Sequence, residues 1–410
     1  MNRRVVVTGI AGTTSLGDNW QQIRAGFASG RSGVVNMADW AVYADLHTRL
    51  GAPVSEFAAP AHFNRKVKRT MGRVALMAVA SAERAVEAAG LTGHAALSDG
   101  RTGVAFGSST GSTDAIREFA GMLLNNTIDG INSTSYLRMM SHTTPVNIAI
   151  YFGAKGRVIT TSSACTSGSQ GIGYAYEAIR FGRQELMLAG GAEELCPTEA
   201  AVFDTLFATS TRNDSPASTP RPFDRDRDGL VVGEGACTFV LESLEHAEQR
   251  GANVLAEIVG FGTNCDGEHA TRPNQATMRG AMQLALADAE LDASRIGYIN
   301  AHGTATEQGD IAESCATAEL FGRPVPISSL KGHFGHTLGA CGAIEAWLSI
   351  EMMNSDWYAP TLNLENVDER CGALDYLRGE GRSFESDYVM NNNFAFGGIN
   401  TSLVFKRWRR

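Results

Sequence analysis

Charged residues make up only 19% of this 410-residue chain and just 11 residues are proline, too few of either for a disordered segment or a long charged coiled coil. None of the seven cysteines stands at CxxC spacing, so no zinc knuckle or dithiol redox motif is written in the chain. An odd cysteine number in a chain this long also argues against a disulfide framework, and a reducing, cytoplasmic setting is expected. No stretch approaches 18 uninterrupted apolar residues, so no membrane insertion is expected. The opening Met1-Asn2-Arg3-Arg4 followed by Val5-Val6-Val7-Thr8-Gly9-Ile10 has the order of a signal peptide, but its apolar run is too short and reads as a buried strand. Cations are the scarcer charge: 35 Lys and Arg against 44 Asp and Glu give a net charge of −9, which excludes an extended nucleic-acid surface. What the chain has in quantity is glycine, 45 residues, and apolar side chains, 43%. A compact globular protein with many tight turns follows, of a length suited to two or three closely coupled domains.

Short β-branched runs alternate with Ala-rich helical stretches, the pattern of parallel strands joined by crossover helices, so the fold class is α/β. The strands expected are 4–10, 103–106, 158–161, 185–189, 238–241, 256–261, 296–301, 325–328, 388–390 and 401–405. The helices expected are 70–89, 167–181, 277–289, 310–321 and 339–353. A faint internal echo joins VITTSSAC, ending at Cys165, to VPISSLKG, ending at Gly332, each followed by an Ala/Gly-rich helix. Two similar halves, 1–250 and 251–410, each bringing one reactive turn to a shared cleft, would account for it.

Cys165 stands in SSACTSGS, after a strand and before a helix with apolar positions at Ile172, Ala175, Tyr176 and Ile179. A sulfur at a helix N-terminus is expected to have its pKa lowered below the free value of about 8.5, which favours the nucleophilic thiolate. A cysteine among small residues also suits plain packing. His302, in NAHGTAT, follows an apolar strand at the end where parallel sheets expose functional groups. His336 follows Lys331-Gly332-His333-Phe334-Gly335, and spacing alone does not separate it from His333. Two imidazoles and an ammonium beside one thiol would supply donors to a developing oxyanion, the need of acyl-transfer and carbanion chemistry. Glu345 interrupts an apolar helix and must find a partner, for which Lys331 is suited. Asp310 and Glu313 fall in the first turns of a helix, where its dipole favours them. The segment NNNFAFGGIN from Asn391 to Asn400 reads as a small-residue loop joining two late strands, with Phe rings as an apolar plug.

Taken together, SSACTSGS around Cys165, NAHGTAT around His302, KGHFGHTLGACGAIE from Lys331 and NNFAFGGIN from Asn392, with TRNDSPASTPRPFDRDRDGLVVGEGA from Thr211, closely resemble the β-ketoacyl-[acyl-carrier-protein] synthases of type I/II. The likeness runs from about residue 3 to residue 405. It implies the thiolase fold, a five-layer α/β/α/β/α sandwich from two similar βαβαβαββ halves, as a homodimer or a heterodimer with a related subunit. It places the nucleophile on Cys165, the catalytic histidines on His302 and His336, and the supporting lysine on Lys331, which demotes His333. It implies an oxyanion hole from the backbone N–H groups of Cys165 and Phe396, Phe396 as the gate, and an acidic network of Asp310, Glu313 and Glu345. Thr304 and Thr306 match positions that hold a phosphopantetheine arm, and Thr110 falls at the inner acyl pocket. The partner implied is an acyl carrier protein, which the basic run Arg65, Lys66, Lys68 and Arg69, with Arg212, would dock. No metal and no cofactor are implied beyond the phosphopantetheine that carries the substrates.

The chain departs from the family pattern in three places. NSFGFGGTN is frequent where this chain has Asn392, Ala395 and Ile399, Thr110 replaces an aliphatic residue, and 123–136 holds no lysine or arginine. The wording ACTSGSQ with NNFAFGGIN is similar to the aryl polyene pigment subgroup. Two rivals are a degradative thiolase, which needs a second catalytic cysteine near the C-terminus, and a non-elongating subunit like a chain-length factor, which lacks the nucleophile. A type III synthase would carry Asn where this chain has His336.

Overall fold

The computed structural model describes residues 2–409. Along the first half run β1 (Val5–Thr13), α1 (Arg73–Ala88), β2 (Thr102–Gly107), α2 (Thr143–Phe152), β3 (Val158–Thr160), α3 (Ser167–Arg180), β4 (Leu186–Glu193), α4 (Pro197–Asp204) and β5 (Gly235–Ser243). The second half repeats the pattern with β6 (Ala256–Cys265), α5 (Gln275–Asp288), β7 (Tyr298–Asn300), α6 (Glu307–Phe321), β8 (Pro326–Ser328), α7 (Cys341–Ser355), β9 (Asp375–Tyr376), β10 (Tyr388–Ala395) and β11 (Ile399–Arg407). The strand order is β9-β8-β7-β10-β11-β6-β1-β5-β4-β2-β3, so each half has the same mixed five-strand arrangement and β9 adds an edge. Strands linked by a crossover helix pair in parallel, β2 with β3 and β4, and β7 with β8 and β10. The two sheets meet antiparallel at β1 and β6, where Val5, Val6 and Val7 face Ile258, Glu257 and Ala256.

The layers follow from which faces are apolar. Helix α1 buries ten of its sixteen residues, and with α2 it covers the outer face of the first sheet. Helices α3 and α7 contact both sheets, and α5 with α6 closes the far side, giving the five-layer α/β/α/β/α sandwich. Being covered all round, α7 is apolar all round, which is why the lone carboxylate of Glu345 stood out in the sequence.

Glycine lets the central helices meet almost backbone to backbone. A Cβ on Gly168 would lie 2.9 Å from Ala343 N, and one on Gly342 would lie 2.7 Å from Ser169 N. Each helix is preceded by a one-turn 3₁₀ segment, Ala164–Thr166 and Leu338–Ala340, whose first residue takes positive φ, 49° at Ala164 and 45° at Leu338. Non-glycine residues rarely hold that conformation without enforcement by their surroundings. The internal repeat therefore pairs the Cys165 turn with the turn at Gly339 and not with Gly332, because the short helix Lys331–Phe334 is interposed in the second half.

The segment NNNFAFGGIN is mostly strand. Asn391, Asn392 and Asn393 lie inside β10, buried, and only Phe396–Gly398 forms the turn. Asn391 Oδ1 accepts from Asn300 on the neighbouring strand β7, and Asn393 Nδ2 donates to Glu345 on helix α7, which overrides the usual aversion of Asn for strands. Helices Thr113–Asn125, α2 and α4 were not anticipated from the sequence. Four helices also begin two or three residues from where they are expected, α1 at Arg73, α5 at Gln275, α6 at Glu307 and α7 at Cys341.

Candidate active site

Cys165 sits at the start of α3, 5% exposed, at the end of a cavity of about 490 Å³ that opens to solvent past His302, Thr304, Thr306, Phe203 and Phe396. His336 comes from the second half, with Nε2 3.0 Å from the sulfur. The His302 ring stands edge-on to it, with centroids 5.1 Å apart. The structure thus brings Cys165, His302 and His336 into one buried cluster. His333 is held elsewhere, with Nδ1 3.0 Å from the Arg31 carbonyl and its ring 4.5 Å from that of Phe27.

The hydrogen bonds fix where the imidazole protons lie. The ammonium of Lys331, which can only donate, lies 3.3 Å from His302 Nδ1 and donates to the His302 carbonyl at 2.6 Å and to Glu345. His302 Nδ1 therefore accepts, and Nε2 carries the proton. The N–H of Leu338 donates to His336 Nδ1 at 3.3 Å, so His336 also presents Nε2–H, toward the sulfur. Burial and the neighbouring Lys331 charge hold both imidazoles well below the usual histidine range, so they are neutral donors.

The thiol differs from the sequence expectation. Lys331 and the backbone N–H groups of Phe396 and Cys165 all pull the Cys165 pKa down, yet burial outweighs them and pushes it up to about 12. The helix N-terminus does not yield a resting thiolate, because desolvation of the anion is the larger effect. The backbone N–H groups of Cys165 and Phe396, which the family likeness names as oxyanion donors, are both among the influences that favour the thiolate.

Lys331 and Glu345 are fully enclosed, and burial of the carboxyl and the lysine's raised pKa pull in opposite senses for an ion pair. Both Glu345 oxygens accept, from Lys331 and from Asn393 Nδ2 at 2.7 Å, which fixes the charged pair. Glu313 takes the N–H groups of His302 and Gly303, both at 2.7 Å, and Asp310 takes those of Phe223 and Ala305. Burial raises Glu313 to about 8 and Asp310 to about 6. Both acids brace the loop carrying His302. Arg227, 2% exposed at its side chain, lies 3.6 Å from Asp310 and 2.8 Å from Asp368.

Several supporting residues escaped the sequence reading. Glu193, buried, accepts from Ser108 Oγ, from the N–H and hydroxyl of Ser109 and from Gly339 N, tying together the loops on either side of the nucleophile. Arg227, Asn393 and Cys341, whose Sγ lies 3.2 Å from the Cys165 carbonyl, were missed likewise. For Glu193, Asn393 and Cys341 the only sequence signal is polarity inside apolar runs, whereas Arg227 is hidden among the alternating charges of Asp224 to Asp228.

Thr304 and Thr306 line the cavity with their hydroxyls 2.9 Å apart. Thr110 is exposed and does not line it; its hydroxyl donates to Glu199 at 3.3 Å. Arg65, Lys66, Lys68 and Arg69 are exposed on and after a four-residue helix and join no ion pair among the described residues, whereas Arg212 is engaged by Asp228 at 3.3 Å. The gate turn is tied down, Gly397 N–H to the Ala270 carbonyl and Asp266 N–H to the Gly398 carbonyl, both at 2.8 Å. Phe396 packs on Phe203 with centroids 5.1 Å apart. Two triplets have ligand atoms close enough for a metal, Cys165-His302-His336 and His302-Cys341-Glu345. In the second, the Lys331 ammonium already donates to both His302 and Glu345.

Comparison with known proteins agrees with this geometry. The beta-ketoacyl synthase N-terminal domain matches residues 2–247 and its C-terminal domain residues 255–365. 3-Oxoacyl-[acyl-carrier-protein] synthase 2 of Vibrio cholerae is 37% identical over 413 residues and synthase 1 of Haemophilus influenzae 35% over 415, each covering 99% of both chains. The crystal structure of a beta-ketoacyl synthase from Burkholderia phymatum STM815 is 60% identical with a TM-score of 0.98, over 99% of this chain and 100% of that one. A type II polyketide ketosynthase in complex with its acyl-carrier protein is 30% identical, TM-score 0.88, over all of both chains. A ketosynthase in complex with its chain length factor from Xenorhabdus doucetiae is 25% identical, TM-score 0.84, over 99% of this chain and 98% of that one. The chain belongs to the beta-ketoacyl synthase family of condensing acyltransferases.

Proposed function

We propose that the protein is a 3-oxoacyl-[acyl-carrier-protein] synthase in which Cys165 holds the acyl chain while His302 and His336 receive the malonyl unit. The observation that carries this reading is the thiol at 3.0 Å from His336 Nε2, with a second Nε2–H donor from His302 beside it. In the first half-reaction the Cys165 sulfur attacks the acyl thioester and the carrier leaves as a thiol, taking up the proton that Cys165 gives up. The Cys165 and Phe396 amides face the oxyanion, where each such donor is worth about 10²–10³ in rate. In the second, the bond from the malonyl methylene to its carboxylate breaks, CO₂ leaves and the electron pair moves into an enolate that accepts both Nε2–H groups. The enolate carbon then attacks the Cys165 thioester, and the released sulfur takes a proton from solvent. The product is a 3-oxoacyl chain two carbons longer, formed by splitting one hard step at a covalent intermediate.

These bond changes require only thiol, imidazole and backbone donors, so no resident cofactor or metal is proposed. Thr304 and Thr306 hold the phosphopantetheine arm at the mouth of the cavity. Arg65, Lys66, Lys68 and Arg69 are free to dock an acidic carrier protein, whereas Arg212 has its charge satisfied by Asp228. A second copy or a related subunit covers the exposed Leu123, Leu124, Ile128 and Tyr136; the carrier and chain-length-factor complexes of the structural relatives support both partner classes. No helix of the described residues is long and apolar enough to cross a membrane, in keeping with work on carrier-bound substrates. The names of the relatives support fatty-acid-type elongation, while the polyene subgroup has only the wording of two loops behind it. A degradative thiolase is disfavoured because Cys341, the other cysteine in the same apolar cluster, is fully buried and points at a backbone carbonyl.

The test incubates acyl- and malonyl-carrier proteins with the enzyme and with Cys165→Ala. Release of CO₂ with a 3-oxoacyl product by the wild type alone supports the reading, and full condensation by Cys165→Ala overturns it.

A further inference from the structure

The cavity that holds Cys165 reaches the surface beside an aromatic ring that nothing in the chain covers. Phe207, 87% exposed, lines the cavity together with the exposed Leu206, and Val202, on the last turn of α4, adds a third exposed apolar side chain. Phe203 and Phe207 are four residues apart with opposite surroundings. Phe203 is buried and packs on the Phe396 ring, whereas Phe207 stands in solvent.

The backbone does not favour a bulky residue at this point. Past the end of α4 the Ala208 N–H donates to the Phe203 carbonyl and the Phe207 N–H to the Asp204 carbonyl, both at 3.0 Å, which leaves Phe207 with a φ of 53°. That position after a helix takes glycine most readily, and a large side chain there is strained. The turn is fixed from behind. The Asp204 carboxylate accepts from the N–H groups of His47 and Thr48 and from the Thr209 hydroxyl, and the Leu230 N–H donates to the Ala208 carbonyl at 2.8 Å. Phe207 is therefore held outward on a rigid turn, and its ring recovers none of the strain by burial within the chain.

The charges along the cavity indicate the kind of partner. Arg227, Asp228 and Glu307 are paired within the chain. Arg272 also lines the cavity, is exposed and joins no ion pair among the described residues. An apolar knob with an unpaired cation at the same mouth suits a protein that presents an apolar side chain and a carboxylate around its point of entry. A chain borne on an acidic carrier protein reaches Cys165 through this mouth, so the carrier's own surface comes to rest on it.

We infer that Phe207, flanked by Val202 and Leu206, is an apolar docking knob for the acyl carrier protein and that Arg272 meets a carboxylate of the same carrier. The protein then selects its carrier by an apolar contact at the cavity mouth as well as by the basic run from Arg65 to Arg69. This rests on the reading that carrier-borne chains load Cys165. An aromatic ring that leaves water at the centre of a contact is where binding energy concentrates.

The experiment follows acylation of Cys165 by intact-protein mass spectrometry and extracts kcat and KM for wild type, Phe207→Gly, Phe207→Ser and Arg272→Ala. The donors are octanoyl-[acyl carrier protein] and octanoyl-N-acetylcysteamine, which brings the same thioester without a protein surface. Both Phe207 variants are expected to raise KM for the carrier-borne donor about tenfold or more, with kcat unchanged and the small thioester used within about twofold of wild type. That penalty should persist at about 0.5 M sodium chloride, where the effect of Arg272→Ala should vanish. Glycine suits the positive φ, so the urea midpoint of Phe207→Gly should not fall, which separates lost docking from a folding defect. A carrier KM within about twofold of wild type in both Phe207 variants overturns the inference. So do equal losses with both donors, which would put the ring on the acyl chain or its arm, and a changed oligomeric mass by light scattering, which would give this face to a second copy. Failure of wild-type Cys165 to load from either donor overturns the acyl-thiol assignment itself, a separate and recognisable result.

Discussion

Lys331→Met removes the one ammonium in the catalytic cluster. Lys331 and Glu345 are both 0% exposed, and the lysine also donates to the carbonyl and Nδ1 of His302. Without it the Glu345 carboxylate retains only Asn393. Breaking one side of a buried ion pair costs about 3–5 kcal/mol, which urea unfolding resolves as a shift of the midpoint. Replacing both partners by apolar residues of similar size relieves that penalty, so Lys331→Met with Glu345→Leu should regain at least about 2 kcal/mol over the single variant. Activity should not return with stability, because the donor that fixes the His302 tautomer is gone. Malonyl decarboxylation should fall about 10²–10⁴-fold in both variants, the usual worth of a positioned proton-handling group. Acylation of Cys165, whose sulfur faces His336, should suffer much less. A single variant that loses under about 1 kcal/mol, or a double variant that recovers decarboxylation, would refute the account of Lys331.

Three further outcomes are expected. Because burial raises the Cys165 pKa to about 12, alkylation by iodoacetamide should accelerate continuously from pH 7 to 10; a plateau below pH 8.5, read by mass spectrometry at timed quenches, would show a resting thiolate. His302→Ala should load acyl chains within about tenfold of wild type while losing about 10²-fold or more in CO₂ release, and equal loss in both half-reactions would contradict the division of labour. Gly168→Ala places a methyl 2.9 Å from Ala343 N, a contact with backbone that cannot yield cheaply, and should cost about 1–3 kcal/mol of stability in urea unfolding; an unchanged midpoint would mean that the central helices are not packed so tightly.

The legible part of this protein was its local chemistry. Cys165 at a strand-to-helix turn and His302 beyond an apolar strand are both signalled by the residues immediately around them, and the alternation of β-branched runs with Ala-rich stretches gives the fold class. What depends on the other half of the chain was not legible from such patterns. The thiol pKa has its sign reversed by burial under side chains more than a hundred residues away, Leu338 and Cys341 among them. The Asn391–Asn393 stretch reads as a loop until Asn300 and Glu345 are found to satisfy its amides. Helix Thr113–Asn125 carries an apolar stripe at Ile116, Phe119, Ala120 and Leu123 that the sequence reading passed over, although in the structure only Ala115 of this helix is buried. His333 and His336 were separated by family likeness before the structure gave the reason, the contact of His333 with Arg31 and Phe27.

The whole account turns on a carbon chain becoming attached to one sulfur. Digestion and tandem mass spectrometry after a brief exposure to acyl-carrier protein, without malonyl donor, test this most directly. The account predicts the acyl mass on the peptide bearing Cys165, and its disappearance with release of a two-carbon-longer product once malonyl-carrier protein is added. Product formed with no acyl group ever found on Cys165, or with the group on another residue, would contradict it.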